Sequence, residues 1–303
     1  MTVPDRRVAV EIARMDHGMS ERKACEVFHI SRNGNRYEPR PREDESELRD
    51  RIKKLVEANP RYGYRRIHAL LRREGILVNI KRVHRIYREE GMMLRPKRPK
   101  RRQYAPKGEV KRKSEYPNHV WTVDIIFDRL ANGRQFKILN IVDEFTREAL
   151  LMRVGARIDS MDVIESLKML MESRGEPVHL RSDNGSEFIA GAVKKFIEKT
   201  DCSSVYIDPG SPWQNPYIES FHGKLRDECL NMNIFLNGNH VKSVVSDWMD
   251  EYNNFRPHSS LGYKTPREFA IRYESSLRAT PSGSTHTELL ENPKLRLVQK
   301  LGA

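Results

Sequence analysis

Three carboxylates stand at spacings that could assemble a cation-dependent site. Asp124 lies inside the apolar run WTVDIIF, between Val123 and Ile125. A carboxylate so flanked is costly to bury unless a cation or hydrogen-bond donors compensate it. Asp183 closes the short run HLRSDNG, and Glu219 falls in the expected first turn of a helix, in PYIESFHGKLRDE; 35 residues separate these two acids. Three such groups converging would give an all-oxygen donor set suited to a hard cation such as magnesium. Singly, each has a plainer reading. An Asp before Asn-Gly is commonly a turn residue, and a Glu near a helix start complements the helix dipole. Asp128, Asp143, Glu144 and Glu187 are rival acids. Asp143, which also ends an apolar run, is read as structural.

The elements that must position these acids begin at about residue 116. HVWTVDIIF, QFKILNIVDEF and REALLMRV read as three strands, the first two joined across the turn signal ANG at 131–133. A helix starts at Asp159 or Ser160, PVHLRSD is a fourth strand, Glu187 to Thr200 is helical, and SSVYIDP is a fifth strand. Asn215 followed by Pro216 predicts an N-cap and first helical position, opening the helix that carries Glu219. A further helix, VKSVVSDWMDEYNNF, precedes RPHSSLGYKTP. Hairpin-linked strands followed by alternating helix and strand predict a mixed five-stranded sheet flanked by helices. Asp124 and Asp183 would sit on adjacent strands.

Upstream the pattern is all-helical. Val8, Ile12 and Met15 recur at helical spacing. Gly18 breaks that helix, Ser20 caps another, and Ser31 caps a short basic segment, a helix-turn-helix outline over residues 1–39. Gly34 inside the last segment argues instead for a helical hairpin that only packs. Residues 47–92 predict a second helix-turn-helix unit, with Ile67, Leu70 and Leu71 on one stripe and Val83, Ile86 and Tyr87 on the next. Lys81, Arg82, Arg85 and Arg88 are left on the outer face, and Arg65 and Arg66 open the preceding helix. Residues 93–115 form a basic linker arm carrying Lys97, Arg98, Lys100, Arg101 and Arg102. The strand-bearing unit with the three acids, the expected catalytic core, would span 116–273, and 274–303 reads as a mobile tail.

Charge supports a polyanionic partner. The 303 residues carry a formal charge of +13, and residues 51–113 hold 22 Lys and Arg against 5 Asp and Glu. Contacts from that block would go mostly to DNA phosphates. Trp213 and Gln214, on the loop entering the Glu219 helix, could meet an unpaired base, with packing the alternative for Trp213. Cys25, Cys202 and Cys229 are far apart, with no paired spacing for zinc. No run is long and apolar enough for a membrane span, so a cytoplasmic, DNA-associated protein is expected.

The wording around the three acids carries a resemblance. WTVDIIFDRLANGRQFKILNIVDEFTREAL, SDNGSEF, PWQNPYIESFHGKLRDECL and YNNFRPHSSLGYKTPREF are similar to the IS-three family of bacterial insertion-sequence transposases, within the superfamily of transposases and retroviral integrases that share a D, D, 35-E signature. The resemblance covers about residues 5–272 and is to the product of the second reading frame. It implies a ribonuclease-H-like catalytic domain in which Asp124, Asp183 and Glu219 hold two magnesium ions, with manganese able to substitute. It implies cleavage of terminal inverted repeats and strand transfer into target DNA, a homo-oligomer on double-stranded DNA, and fusion to, or action with, the upstream reading-frame product. Arg226 matches a basic position of the family motif, and Lys224 lies beside it; both are candidate DNA contacts, with a paired surface charge the alternative for Arg226. Pro216 and His222 stand where Gly and Asn are more usual. Two other readings stay open: a non-catalytic DNA-binding repressor or element remnant, and a ribonuclease-H-like nuclease without strand transfer.

Overall fold

The computed structural model describes residues 1–37, 44–94, 113–208 and 214–278. The chain divides into two compact units, Met1–Lys54 and Leu55–Ala303.

In the first unit, α1 (Val3–Met15) opens with a capping box between Thr2 and Asp5. Ser20 caps α2 (Glu21–Val27), and Ser31 caps α3 (Arg32–Asn35), which is a single turn. Val10 and Ala13 pack against Ala24 and Cys25. The stripe of Val8, Ile12 and Met15 faces outward, with Met15 76% exposed. Gly34 has a local reason: a Cβ there would come within 2.9 Å of the Ser31 hydroxyl that caps the turn.

Helix α4 (Glu45–Ala58) crosses the boundary between the units. In the second unit, α5 (Tyr64–Arg73) and α6 (Ile80–Glu89) pack through Ile67, Leu71, Val83, Ile86 and Tyr87, all buried. Asn79 caps α6 by accepting from the Lys81 N–H at 2.8 Å. The pair is tied to the rest of this unit by side chains. Arg66 and Arg256 share Glu228 at 2.9 and 2.6 Å, Arg61 pairs with Asp227, and the Tyr62 hydroxyl donates to Glu251 at 3.0 Å.

The sheet comprises β1 (Val120–Arg129), β2 (Gln135–Asp143), β3 (Ala149–Gly155), β4 (His179–Ser182) and β5 (Ser203–Tyr206), in the order β3-β2-β1-β4-β5. β1–β2 and β2–β3 are antiparallel; β1–β4 and β4–β5 are parallel. The turn between β1 and β2 uses Gly133 at φ +82°, a conformation open to glycine. The parallel crossovers are made by α7 (Ser160–Arg174), and by α8 (Ser186–Ile189) with α9 (Gly191–Ile197).

Strand alternation separates two cores. Trp121 and Val123 of β1 join Leu139, Ile141 and the buried faces of α7 and α9. Ile126, on the opposite face, joins Ile138, α10 (Pro216–Glu228) and α11 (Gly238–Asn254). By parity Asp124 points to this second side. The mixed sheet with helices on both faces is the ribonuclease-H-like arrangement. α12 (Pro266–Arg278) follows the RPHSSLGY segment, whose His258 is buried and pairs as an isolated bridge with Lys264.

Candidate active site

Register alone brings two of the acids together. Thr122 of β1 pairs with Arg181 of β4; two residues further along parallel neighbours stand Asp124 and Asp183, on one face of the sheet. Asp183 lies one residue past β4, where its Oδ1 accepts from the Gly185 N–H at 2.9 Å. Its turn role is therefore real, and it occupies one oxygen only: among the described residues no donor meets Oδ2.

Glu219 is carried to the same face by α10, and Asn215 fixes how. Spacing predicts Asn215 as the N-cap, yet its side chain makes no capping bond. Its Oδ1 instead accepts from the Thr122 hydroxyl at 2.6 Å, in a fully buried contact. The helix gives up a cap to gain a tether to β1, two residues from Asp124.

The electrostatics mark Asp124. Burial pushes its carboxyl up to about 7, the negative charges of Asp183 and Glu219 push it the same way, and the Ile125 N–H, at 2.7 Å, opposes them. The three acids therefore feel one another across the site. They do not form a closed shell: among the described residues no group of three or more His, Cys, Asp or Glu is gathered as a metal site. Among the described residues no Lys or Arg lies within ion-pair distance of Asp124. The nearby ring of His222 has Nδ1 3.6 Å from Asp124 Oδ2 and Nε2 2.9 Å from the Asn140 amide nitrogen. Burial and Arg226 lower the His222 imidazole to about 4, so it is neutral at pH 7. An amide N–H directed at Nε2 leaves the ring proton on Nδ1, facing Asp124. The all-oxygen donors of Asp124, Asp183 and Glu219 fit divalent magnesium or manganese chemically.

The rival acids are each accounted for. Asp143 accepts from the backbone N–H groups of Asn118, Phe145 and Thr146 at 2.6, 2.7 and 2.9 Å, bracing the loop after β2. Glu144 pairs with Arg181, both fully buried, at 2.6 Å. Glu187 pairs with Lys137 at 2.7 Å, and Asp128 accepts from the Arg129 N–H.

The expected DNA contacts are distributed differently. Lys81, Arg85 and Arg88 lie exposed along α6, Arg85 bridging to Glu89 at 3.0 Å; Arg82 is half-buried. Arg65 is exposed at the start of α5, with Arg66 committed to Glu228. Arg226 is exposed and donates to the Phe127 carbonyl at 3.3 Å. Lys224 is half-buried and donates to Ser220 Oγ at 2.8 Å. Gln214 is buried, its carboxamide exchanging two hydrogen bonds with Asp208 at 2.9 and 2.8 Å. Trp213, Lys97, Arg98, Lys100, Arg101 and Arg102 lie outside the described residues.

Sequence reasoning missed Thr122, Asn140 and His222 as neighbours of the acids. A signal existed for His222, which stands three residues after Glu219 on one helix. Thr122 and Asn140 show only as polar residues in apolar strands.

Comparison with known proteins gives a consistent pattern. Residues 114–212 and 200–266 match integrase core domain families, and residues 42–100 match a helix-turn-helix-like domain family. An uncharacterised 31.7 kDa protein of insertion element IS407 from Burkholderia multivorans is 39% identical over 261 residues, 86% of this chain and 94% of that protein. A 39.2 kDa protein of insertion element IS476 from Xanthomonas euvesicatoria is 39% identical over 259 residues, 85% of this chain and 74% of that one. The putative transposase InsK of insertion sequence element IS150 from Escherichia coli is 26% identical over 239 residues, covering 74% and 83%. Among solved structures, a simian T-cell lymphotropic virus intasome aligns with a TM-score of 0.47 at 18% identity, over 77% of this chain and 76% of that one.

Proposed function

Because the chain belongs to the IS-three family of insertion-sequence transposases, we propose that it is itself a metal-dependent DDE transposase, with Asp124, Asp183 and Glu219 as its catalytic and metal-binding residues. DNA transposition or integration is the activity its relatives and domains support in general; the chemistry at these three acids is the finer step taken here. The observation that carries it is Asp124: a half-buried carboxylate with no Lys or Arg partner among the described residues, raised to about 7 by burial and by its two acidic neighbours. A fold keeps such a charge conflict where a cation is to resolve it.

Asp124 would be held within β1, Asp183 by the turn directly after the paired strand β4, and Glu219 by the tethered start of α10, so three distant segments would supply oxygens from one face of the sheet. Strand pairing limits the freedom of the first, the Gly185 contact that of the second, and the Thr122–Asn215 bond that of the third. His222, pinned by Asn140, holds a proton toward Asp124 and restrains its rotation. Bound there, divalent cations would supply Lewis-acid activation of a water or a DNA 3′ hydroxyl and stabilise the leaving 3′ oxygen. Water gives end cleavage; a 3′ hydroxyl gives strand transfer. The partners proposed are the terminal repeats and target DNA, a second copy of the chain on DNA, and the upstream reading-frame product. No helix among the described residues is long and apolar enough to cross a membrane.

The test is cleavage and strand transfer on labelled terminal-repeat DNA with magnesium. Asp124→Asn, Asp183→Asn and Glu219→Gln are each expected to lower both steps by about a hundred- to a thousandfold, the scale of removing a group that stabilises transition-state charge. Full activity in any of the three would overturn the assignment.

A further inference from the structure

Between α5 and α10 runs an open groove of about 520 Å³, floored by Ser220 and Gly223 and flanked by Arg65 and Lys224. A recess of about 340 Å³ shares Tyr64, Arg65 and Tyr263 with it and continues to Lys81 and His84 at the start of α6. The floor begins one residue after Glu219.

Two independent features of this groove point to an occupant. The first is charge. Arg66 is already matched by Glu228, and Arg61 by Asp227. Among the described residues Lys224 and Arg65 meet no carboxylate. Lys224 donates only to Ser220 Oγ, and Arg65 to the Tyr64 hydroxyl at 3.1 Å. Burial and the nearby Arg256, Arg66 and Arg147 pull the Lys224 ammonium down to about 8, and the negative charge of Glu228, which also lines the groove, offsets them only in part. The second is Gly223. Glycine inside a helix lowers its stability relative to alanine, and a Cβ built at Gly223 meets nothing within 4 Å. The protein's own packing therefore gives no reason for the glycine. A residue without a side chain on the floor of a basic groove leaves room for close approach from outside.

We propose that this groove is a phosphate track: one strand of the bound DNA end runs along it from α6 to α10 of the same chain, closest at Gly223, with Arg65 and Lys224 as phosphate contacts. A line of separated cations matches the regular charge of a nucleic-acid backbone better than a single small anion. The proposal rests on DNA being the substrate and adds the surface that conducts it to the acids.

The experiment measures binding of the full chain to a fluorescein-labelled 20-base-pair duplex of arbitrary sequence, by anisotropy across a sodium chloride series. Lys224→Gln is expected to weaken binding about threefold or more and to reduce the slope of log K against log salt by about 0.9, one phosphate contact. Lys242→Gln, on the exposed face of α11, is the control and keeps the wild-type slope. Gly223→Ala is expected to raise the melting temperature while weakening binding, two changes that a merely structural glycine would not separate. Wild-type affinity and slope in both groove variants overturns the track, as does an equal loss in the Lys242 control. Failure of the unmodified chain to bind duplex overturns the DNA-substrate reading itself and the track with it.

Discussion

Substitution of Asp124 by Asn should stabilise the metal-free protein while abolishing its chemistry. The carboxyl is raised from its ordinary 3.8 to about 7. The sign follows from which state binds the proton. Between pH 4 and 7 the folded form keeps a proton that the unfolded chain has released, so wild-type stability falls as pH rises through this window. Above pH 7 the ionised carboxylate burdens the fold by at most about 4 kcal/mol. The side chain retains 27% exposure, so solvent screening brings the expected figure to about 2–3 kcal/mol. Asn retains the oxygen that accepts from the Ile125 N–H and carries no charge to desolvate. Asp124→Asn should therefore match wild type near pH 4 and exceed it progressively up to pH 8, by several degrees in melting temperature. The assay is thermal unfolding in EDTA from pH 4 to pH 9. Magnesium in excess should raise the wild-type melting temperature by mass action and leave the variant nearly unmoved. A variant less stable than wild type at pH 8, or a difference independent of pH, would refute the claim that Asp124 is held in electrostatic conflict.

Other outcomes follow from the same contacts. Glu228→Gln leaves the buried Arg256 without its carboxylate and releases Arg66; removing one member of a buried pair costs about 3–5 kcal/mol, read as a lower melting temperature and faster proteolysis near residue 61. Asn215→Ala strands the buried Thr122 hydroxyl, costing about 1–3 kcal/mol. The same variant should lower kcat more than KM in the strand-transfer assay, because Glu219 loses its anchor; an unchanged kcat would show that the tether is structural only.

Much of the sheet-bearing unit was legible. The apolar run WTVDIIF marked the strand that carries Asp124, and the ANG turn signal at 131–133 announced the antiparallel hairpin. The switch to alternating helix and strand announced the parallel pairs, and with them the adjacency of Asp124 and Asp183. What could not be read was partner choice among polar groups. Asn215 has the local chemistry of a cap, and only the third dimension shows Thr122 competing for the same oxygen. The Arg66–Glu228 contact spans 162 positions, and no periodicity reports it. The outward stripe of Val8, Ile12 and Met15 shows the converse: helical spacing identifies a face without saying which way it turns.

The shared carboxylate of Glu228 has a consequence for domain exchange. Arg61, Arg66 and Arg73 on one side answer Asp227, Glu228 and Glu268 on the other, so the α5–α6 pair and the integrase core are keyed to each other by matched charges. Grafting a foreign helical pair onto this core would strand several ions at once. A transplanted pair would sit here only if it brought arginines to the same three places.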